Sequence, residues 1–127
     1  MSDKSVAQKL MIKPGRSVLL VNPPENYDAL LGELPEDVTV YQEPSGPVDF
    51  IQVLVASRQE LEGQLPRLKL LLKPGGMLWV TYYKGTSKHK TDIHRDSINA
   101  YAKSLGMEGV AMISVDADWA ALRLKIV

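Results

Sequence analysis

His94 is the residue best suited to move a proton, because an imidazole changes charge near neutral pH. It lies four residues before Ile98, so helical spacing assigns it to the inward stripe of its segment as a candidate general base. The plainer role is a boundary histidine bonded to backbone or to a carboxylate. Just ahead of it, Tyr82 and Tyr83 end an apolar run, and Lys84, Lys88, His89 and Lys90 form a cationic cluster. Such a cluster suits an anion, although most are solvated faces. A second group surrounds "VNPPENYDALL". Open α/β sheets bind ligands beyond the carboxyl ends of their strands, where strand order reverses. If the runs 18–21 and 50–55 are neighbours, Asn22, Glu25 and Tyr27 line one side of that crevice, and Ser57 and Arg58 the other. Ser57 also has a structural role as an N-cap, given Glu60 three residues on, and Asn22 as a bond to its own turn. Asp92 and Arg95 read as a helix-start charge and a solvent-facing side chain.

Composition narrows the chemistry. The chain has no cysteine, which excludes disulfides, thiolate nucleophiles and cysteine-held metals. Its two histidines, His89 and His94, do not make a metal site, so none is expected. No nucleophile with base and orienter, no carboxylate pair and no phosphate loop assembles from fixed spacings. Fifteen basic residues balance fifteen acidic ones, so nucleic acid and anionic membranes are not default partners. No apolar run reaches membrane-spanning length, and charges interrupt the first apolar stretch, which argues against a signal peptide. The expectation is a cytoplasmic protein whose 127 residues form a single domain.

The elements that must position these residues alternate between strand and helix patterns, as in a parallel sheet covered by helices. Val6, Leu10 and Met11 suggest a short amphipathic helix closed by Lys13-Pro14-Gly15. Strands are expected at 18–21, 38–41, 50–55 and 77–83, with a short helix at 27–31. Ser57 and Glu60 have capping-box spacing, and Leu61, Leu65, Leu68 and Leu72 then recur on one helical face. Pro66 is expected to kink that helix or restart it, and Lys73-Pro74-Gly75-Gly76 to end it. A further helix is expected from about Asp92 to Leu105, stopped by Gly106. The runs 110–115 and 119–126 are joined too tightly for a crossover and must pair antiparallel. "LMIKPGRSVLLV" and "LLLKPGGMLWVT" match at an offset of 60, each reading as helix end, turn and buried strand.

"LKPGGMLWVTYY" (72–83), preceded by an amphipathic helix and by "VDFIQVLV", resembles the second half of class I S-adenosylmethionine-dependent methyltransferases. "IKPGRSVLLV" resembles the approach to that family's first strand. More narrowly, the chain resembles a group of short bacterial proteins classed as a domain of unknown function, with the same KPG opening, "LKPGG.LW" middle and "VD..W..L.L" ending. The resemblance implies a three-layer Rossmann-like sandwich of about six strands, mostly parallel, with an antiparallel C-terminal hairpin. The full fold has one more strand-helix unit. It also implies that Glu43, just past the second strand, takes the place of the carboxylate that binds ribose hydroxyls; its plainer role is a solvated loop residue.

The family's V-L-D-x-G-x-G-x-G pattern, laid on residues 18–26, puts its acidic position on Leu20 and its glycines on Asn22, Pro24 and Asn26. Glycine lets a backbone approach a ligand closely, whereas proline fixes φ and deletes an N–H. Glu25, near a helix start, would repel a phosphate. The reading is therefore a methyltransferase-like domain, non-catalytic, acting through a protein partner or a small ligand, with no cofactor expected. The alternative is a small S-adenosylmethionine-dependent methyltransferase with an atypical loop. A third is another small-molecule enzyme using the 82–95 region. Self-association through the edge left by the terminal hairpin, giving a homodimer, is a further partner expectation.

Overall fold

The structure, a computed structural model, describes residues 6–23, 27, 31–43, 46–85 and 91–126. One sheet contains β1 (Ser17–Val21), β2 (Thr39–Tyr41), β3 (Val48–Val55), β4 (Leu72–Tyr83), β5 (Met107–Ser114) and β6 (Trp119–Ile126). Its six strands run in the order β2-β1-β3-β4-β6-β5. β1 pairs parallel with β2 and β3, and β3 parallel with β4. β6 lies antiparallel between β4 and β5. The expected α/β sheet, mostly parallel with an antiparallel hairpin, is the one found.

Successive side chains of a strand point to opposite faces, so an uninterrupted apolar run feeds two cores at once. Leu19, Val21, Ile51, Val53, Leu78 and Val80 face one layer. That layer is closed by Leu61, Leu65 and Leu68 of α2 (Arg58–Leu71) and by Ile98 and Ala102 of α3 (Arg95–Ser104). On the other face Val18, Leu20, Phe50, Leu54 and Trp79 meet Leu10, Ile12, Tyr27 and Leu31, together with Val6 and Ala7 of α1 (Val6–Lys9). Burial of each such aliphatic side chain contributes about 1.5–3 kcal/mol. The second layer therefore holds the short N-terminal segment against the sheet. Polar groups inside it are paired: Trp79 Nε1 donates to the Leu10 carbonyl at 3.0 Å.

Several boundaries differ from the expectation. Pro66 lies inside one helix, Arg58–Leu71, and does not divide it. A proline removes one backbone bond, and here the buried Leu61, Leu65 and Leu68 flank it and pack the helix down. Leu72 leaves the helical stripe and opens β4 instead. Lys73-Pro74-Gly75-Gly76 is not a turn ahead of the strand but an excursion within it. Pairing steps from Val48–Leu72 to Phe50–Met77, so residues 73–76 stand opposite Asp49 alone. Glycine is required there: a Cβ on Gly76 would lie 2.8 Å from the Lys73 carbonyl oxygen and 2.9 Å from that of Asp49. β5 begins at Met107, earlier than expected, directly after Gly106 with φ of +79°. No described helix is long and apolar enough to cross a membrane.

Candidate functional site

At the sheet's carboxyl edge β1 ends at Val21 while β3 runs on to Val55. A crevice of about 200 Å³ lies there, lined by Asn22, Pro23, Ala56, Glu60, Tyr83 and Trp119. Asn22 has φ of +59°, a left-handed conformation that asparagine tolerates better than most residues. That turn aims its amide back at the protein. Nδ2 donates to the Leu54 carbonyl at 3.0 Å and to Glu60 Oε2 at 3.3 Å. Glu60 Oε1 in turn accepts from the Ala56 amide at 2.6 Å, and the Glu60 amide donates to Ser57 Oγ at 3.2 Å. Ser57 is thus the N-cap of α2, and its hydroxyl is committed to that helix. Pro23 adds a wall without an N–H donor. Glu25 lies outside the described residues, as do Pro24 and Asn26.

Tyr27 does not line the crevice, contrary to its expected place. It is buried in the layer beneath α1, where its hydroxyl accepts from Gln52 Nε2 at 2.5 Å. Gln52 also donates to Thr81 Oγ1 at 2.9 Å, so one glutamine joins β3, β4 and the segment after β1. Burial pushes the Tyr27 phenol up to about 12; the Gln52 bond opposes the rise and the Asp116 charge adds to it. Arg58 also turns away, pairing with Glu62 at 2.7 Å on the exposed side of α2. Glu43 is exposed two residues beyond the last β1–β2 pair, Leu19–Tyr41, which brings it alongside the end of β1.

A larger cavity, about 500 Å³, opens on the other side of the same edge. Tyr82 and Tyr83 are consecutive in β4 and so point to opposite faces. Tyr83 stacks on Trp119 at 4.0 Å between ring centroids, within the layer on the α1 side. Trp119 is thus a core residue. Tyr82 lines the cavity with Lys84, His94, Arg95, Asp96 and Met112. Its hydroxyl donates to Met112 Sδ at 3.3 Å, and burial raises its pKa, with Arg95 opposing and Asp96 adding. Lys84 Nζ donates to Ser114 Oγ at 2.6 Å. Lys88, His89 and Lys90 lie outside the described residues.

His94 reaches this cavity, but not from the expected stripe. α3 starts at Arg95, so His94 is its N-cap residue and is exposed, while Ile93 is buried in its stead. Ser97 Oγ closes that helix start, accepting from the His94 amide at 2.9 Å. Asp92 does not serve its own helix either. Its carboxylate accepts from the Arg58 amide at 2.7 Å and so caps α2. Thr91 Oγ1 donates to the Ala56 carbonyl at 2.8 Å beside it. These stitches tie the segment before α3 to the start of α2 across more than thirty positions of sequence, and no local spacing announces them. Among the described residues no group of His, Asp or Glu is arranged to hold a metal.

No family model matches the chain, and no curated protein matches it. Solved structures do. An S-adenosylmethionine-dependent methyltransferase from Aquifex aeolicus is 17% identical with a TM-score of 0.59, covering 96% of this chain and 88% of that one. A TehB-like S-adenosylmethionine-dependent methyltransferase from Corynebacterium glutamicum is 12% identical with a TM-score of 0.62, covering 99% and 90%. One from Thiobacillus denitrificans, solved in complex with S-adenosyl-L-homocysteine, is 10% identical with a TM-score of 0.58, covering 96% and 89%. The chain has the fold of an S-adenosylmethionine-dependent methyltransferase. Within this methyltransferase fold the glycine pattern after β1 is replaced by Asn22-Pro23-Pro24-Glu25-Asn26. Among the described residues the sheet ends at β2, whose Thr39, Val40 and Tyr41 are all exposed. The narrower likeness to short bacterial proteins rests on the motifs alone.

Proposed function

We propose that this domain binds S-adenosylmethionine at the carboxyl edge of the sheet and acts as a small methyltransferase with an atypical cofactor loop. The observation that carries this reading is the reversal of strand order between β1 and β3 directly beneath the Asn22 crevice. The residues there fit the cofactor in kind. Glu43 supplies an exposed carboxylate for ribose hydroxyls at the end of β2. The Asn22–Glu60 bond is long, 3.3 Å, and exposed, so exchanging it for a bond to a ligand costs little. When bound, the cofactor supplies an electrophilic methyl group. The acceptor takes the cavity beside Tyr82 and Lys84, where exposed His94 accepts the proton it releases. The end of β4 stands between the two spaces, so the acceptor reaches across Tyr83 and Lys84.

The second reading, a non-catalytic domain of the same fold, is favoured by the internal satisfaction of Asn22 and by the lost N–H at Pro23. Calorimetric titration with S-adenosylmethionine and S-adenosylhomocysteine separates the two. Micromolar binding that Glu43→Ala weakens supports the first reading. Absence of both heat and thermal stabilisation at millimolar ligand rejects it in favour of the second.

A further inference from the structure

The opposite edge of the sheet carries a feature that methyl transfer does not use. The two KPG segments that match at an offset of 60, one leading into β1 and the other the excursion inside β4, lie on the two strands flanking β3. Both segments therefore meet near Asp49, the second residue of β3. Its Oδ2 accepts from the Ser17 amide and the Ser17 hydroxyl, each at 3.0 Å. Its Oδ1 lies 3.7 Å from Lys73 Nζ and 3.9 Å from Arg16 Nη1. Because β6 runs antiparallel to β4, its carboxyl end returns to this same edge and adds Arg123 and Lys125.

Two depressions of about 260 and 350 Å³ share Gly75, Gly76 and Met77 and so form one groove. Its walls carry Lys13, Arg16, Lys73, Arg123 and Lys125. Against these cations stand Asp49, already bonded to Ser17, and Glu108, across the β5–β6 pair from Lys125. Lys13 and Lys125 form no ion pair with any described residue. The floor is apolar: Met77 is half-buried, and Met11, 45% exposed with φ of +66°, sits beside it with its sulfur 3.4 Å from Arg123 Nη1. A chain with no net charge has thus gathered a strongly positive groove at one edge.

We propose that this groove docks an extended acidic segment of a partner protein, with carboxylates alternating with apolar side chains. Arg16 and Lys73 meet at Asp49, but Lys13, Arg123 and Lys125 extend the charge along the edge from β1 to β6, which suits a linear polyanion better than a single phosphate. Crossing those strands takes about 14 Å, at about 4.8 Å per strand step, the reach of about four extended residues. Alternation puts acidic side chains against the walls and apolar ones on the methionine floor. A single-stranded nucleic acid would want exposed rings to stack on, and the aromatic residue at the groove, Phe50, is buried.

The test is fluorescence polarisation at low salt with a labelled (Glu-Leu)₃ peptide, on the full chain. Binding is expected, weakened about tenfold or more by Lys13→Glu combined with Lys125→Glu and unchanged by Lys103→Glu on α3. A thermal melt of each variant establishes that it is folded; should the double variant melt early, Lys125→Glu alone must show a smaller loss in the same direction. Absence of binding, or equal binding by wild type and folded variants, overturns the proposal. Hexaglutamate or oligothymidylate binding as tightly as the alternating peptide overturns it too, since the groove would then read charge alone.

Discussion

Replacing Gln52 by leucine tests whether a single buried amide holds the segment after β1 against the sheet. Gln52 is 1% exposed and its Nε2 donates to both Tyr27 Oη and Thr81 Oγ1. Leucine removes both bonds. It also leaves two buried hydroxyls without that donor, at about 1–3 kcal/mol apiece, while the added apolar burial recovers part of the loss. The expected sum is roughly 2–4 kcal/mol, a large fraction of the 5–15 kcal/mol typical of a domain. Urea unfolding followed by tryptophan fluorescence reads it, because Trp79 and Trp119 share the layer with Tyr27. The diagnostic step is the second substitution. Adding Tyr27→Phe and Thr81→Val to Gln52→Leu replaces every partner by an apolar group of similar shape, so most of the stability should return. A Gln52→Leu loss below about 0.5 kcal/mol, or a further loss on adding the other two changes, would refute the reasoning.

The buried phenol makes a pH prediction. With Tyr27 pushed up to about 12, the unfolded chain loses that proton first, near 10, so stability falls as pH rises between the two values. The fall is about 1.4 kcal/mol per unit, and Tyr27→Phe should remove it from alkaline unfolding curves. Asp49 works in the opposite sense. The Ser17 amide bond, opposed by burial and aided by the Ser17 hydroxyl, Lys73 and Arg16, holds its carboxyl below the usual range. Its contribution is therefore present above the unfolded value, near about 3.9, and is lost as pH falls through the folded one. Acid unfolding of Asp49→Asn should lack that step. Gly76→Ala should destabilise by about 1–3 kcal/mol in thermal unfolding, because the new Cβ meets two carbonyl oxygens under 3 Å away. Gly63→Ala, in open space on α2, is the control and should be neutral or stabilising.

Residues that act within one turn were legible beforehand. Ser57 and Glu60 announced the start of α2 by spacing alone, and Gly106 the end of α3. Residues whose partners lie in other elements were not. Tyr27 reads as a wall of the crevice until Gln52, 25 positions away, is seen to bond its hydroxyl. Asp92 reads as a charge for the next helix, yet it caps the previous one 34 positions back. His94 follows the helical stripe in sequence, but the helix begins one residue later, and that shift moves it from the inner face to the rim.

By itself the sequence determined the class of fold, because periodicity and turn chemistry are local: apolar runs long enough to be covered on both faces, helices between them, and a hairpin too tight to cross over. It also determined that the loop after β1 lacks glycines, and hence the backbone freedom they confer. Tertiary structure alone decided which edge of the sheet each residue joined. Parallel strands put Asn22 and Glu43 at one edge and the two KPG segments at the other, while the antiparallel β6 carried Arg123 and Lys125 back to those segments. Strand direction is a property of the assembled sheet, and no residue type encodes it on its own.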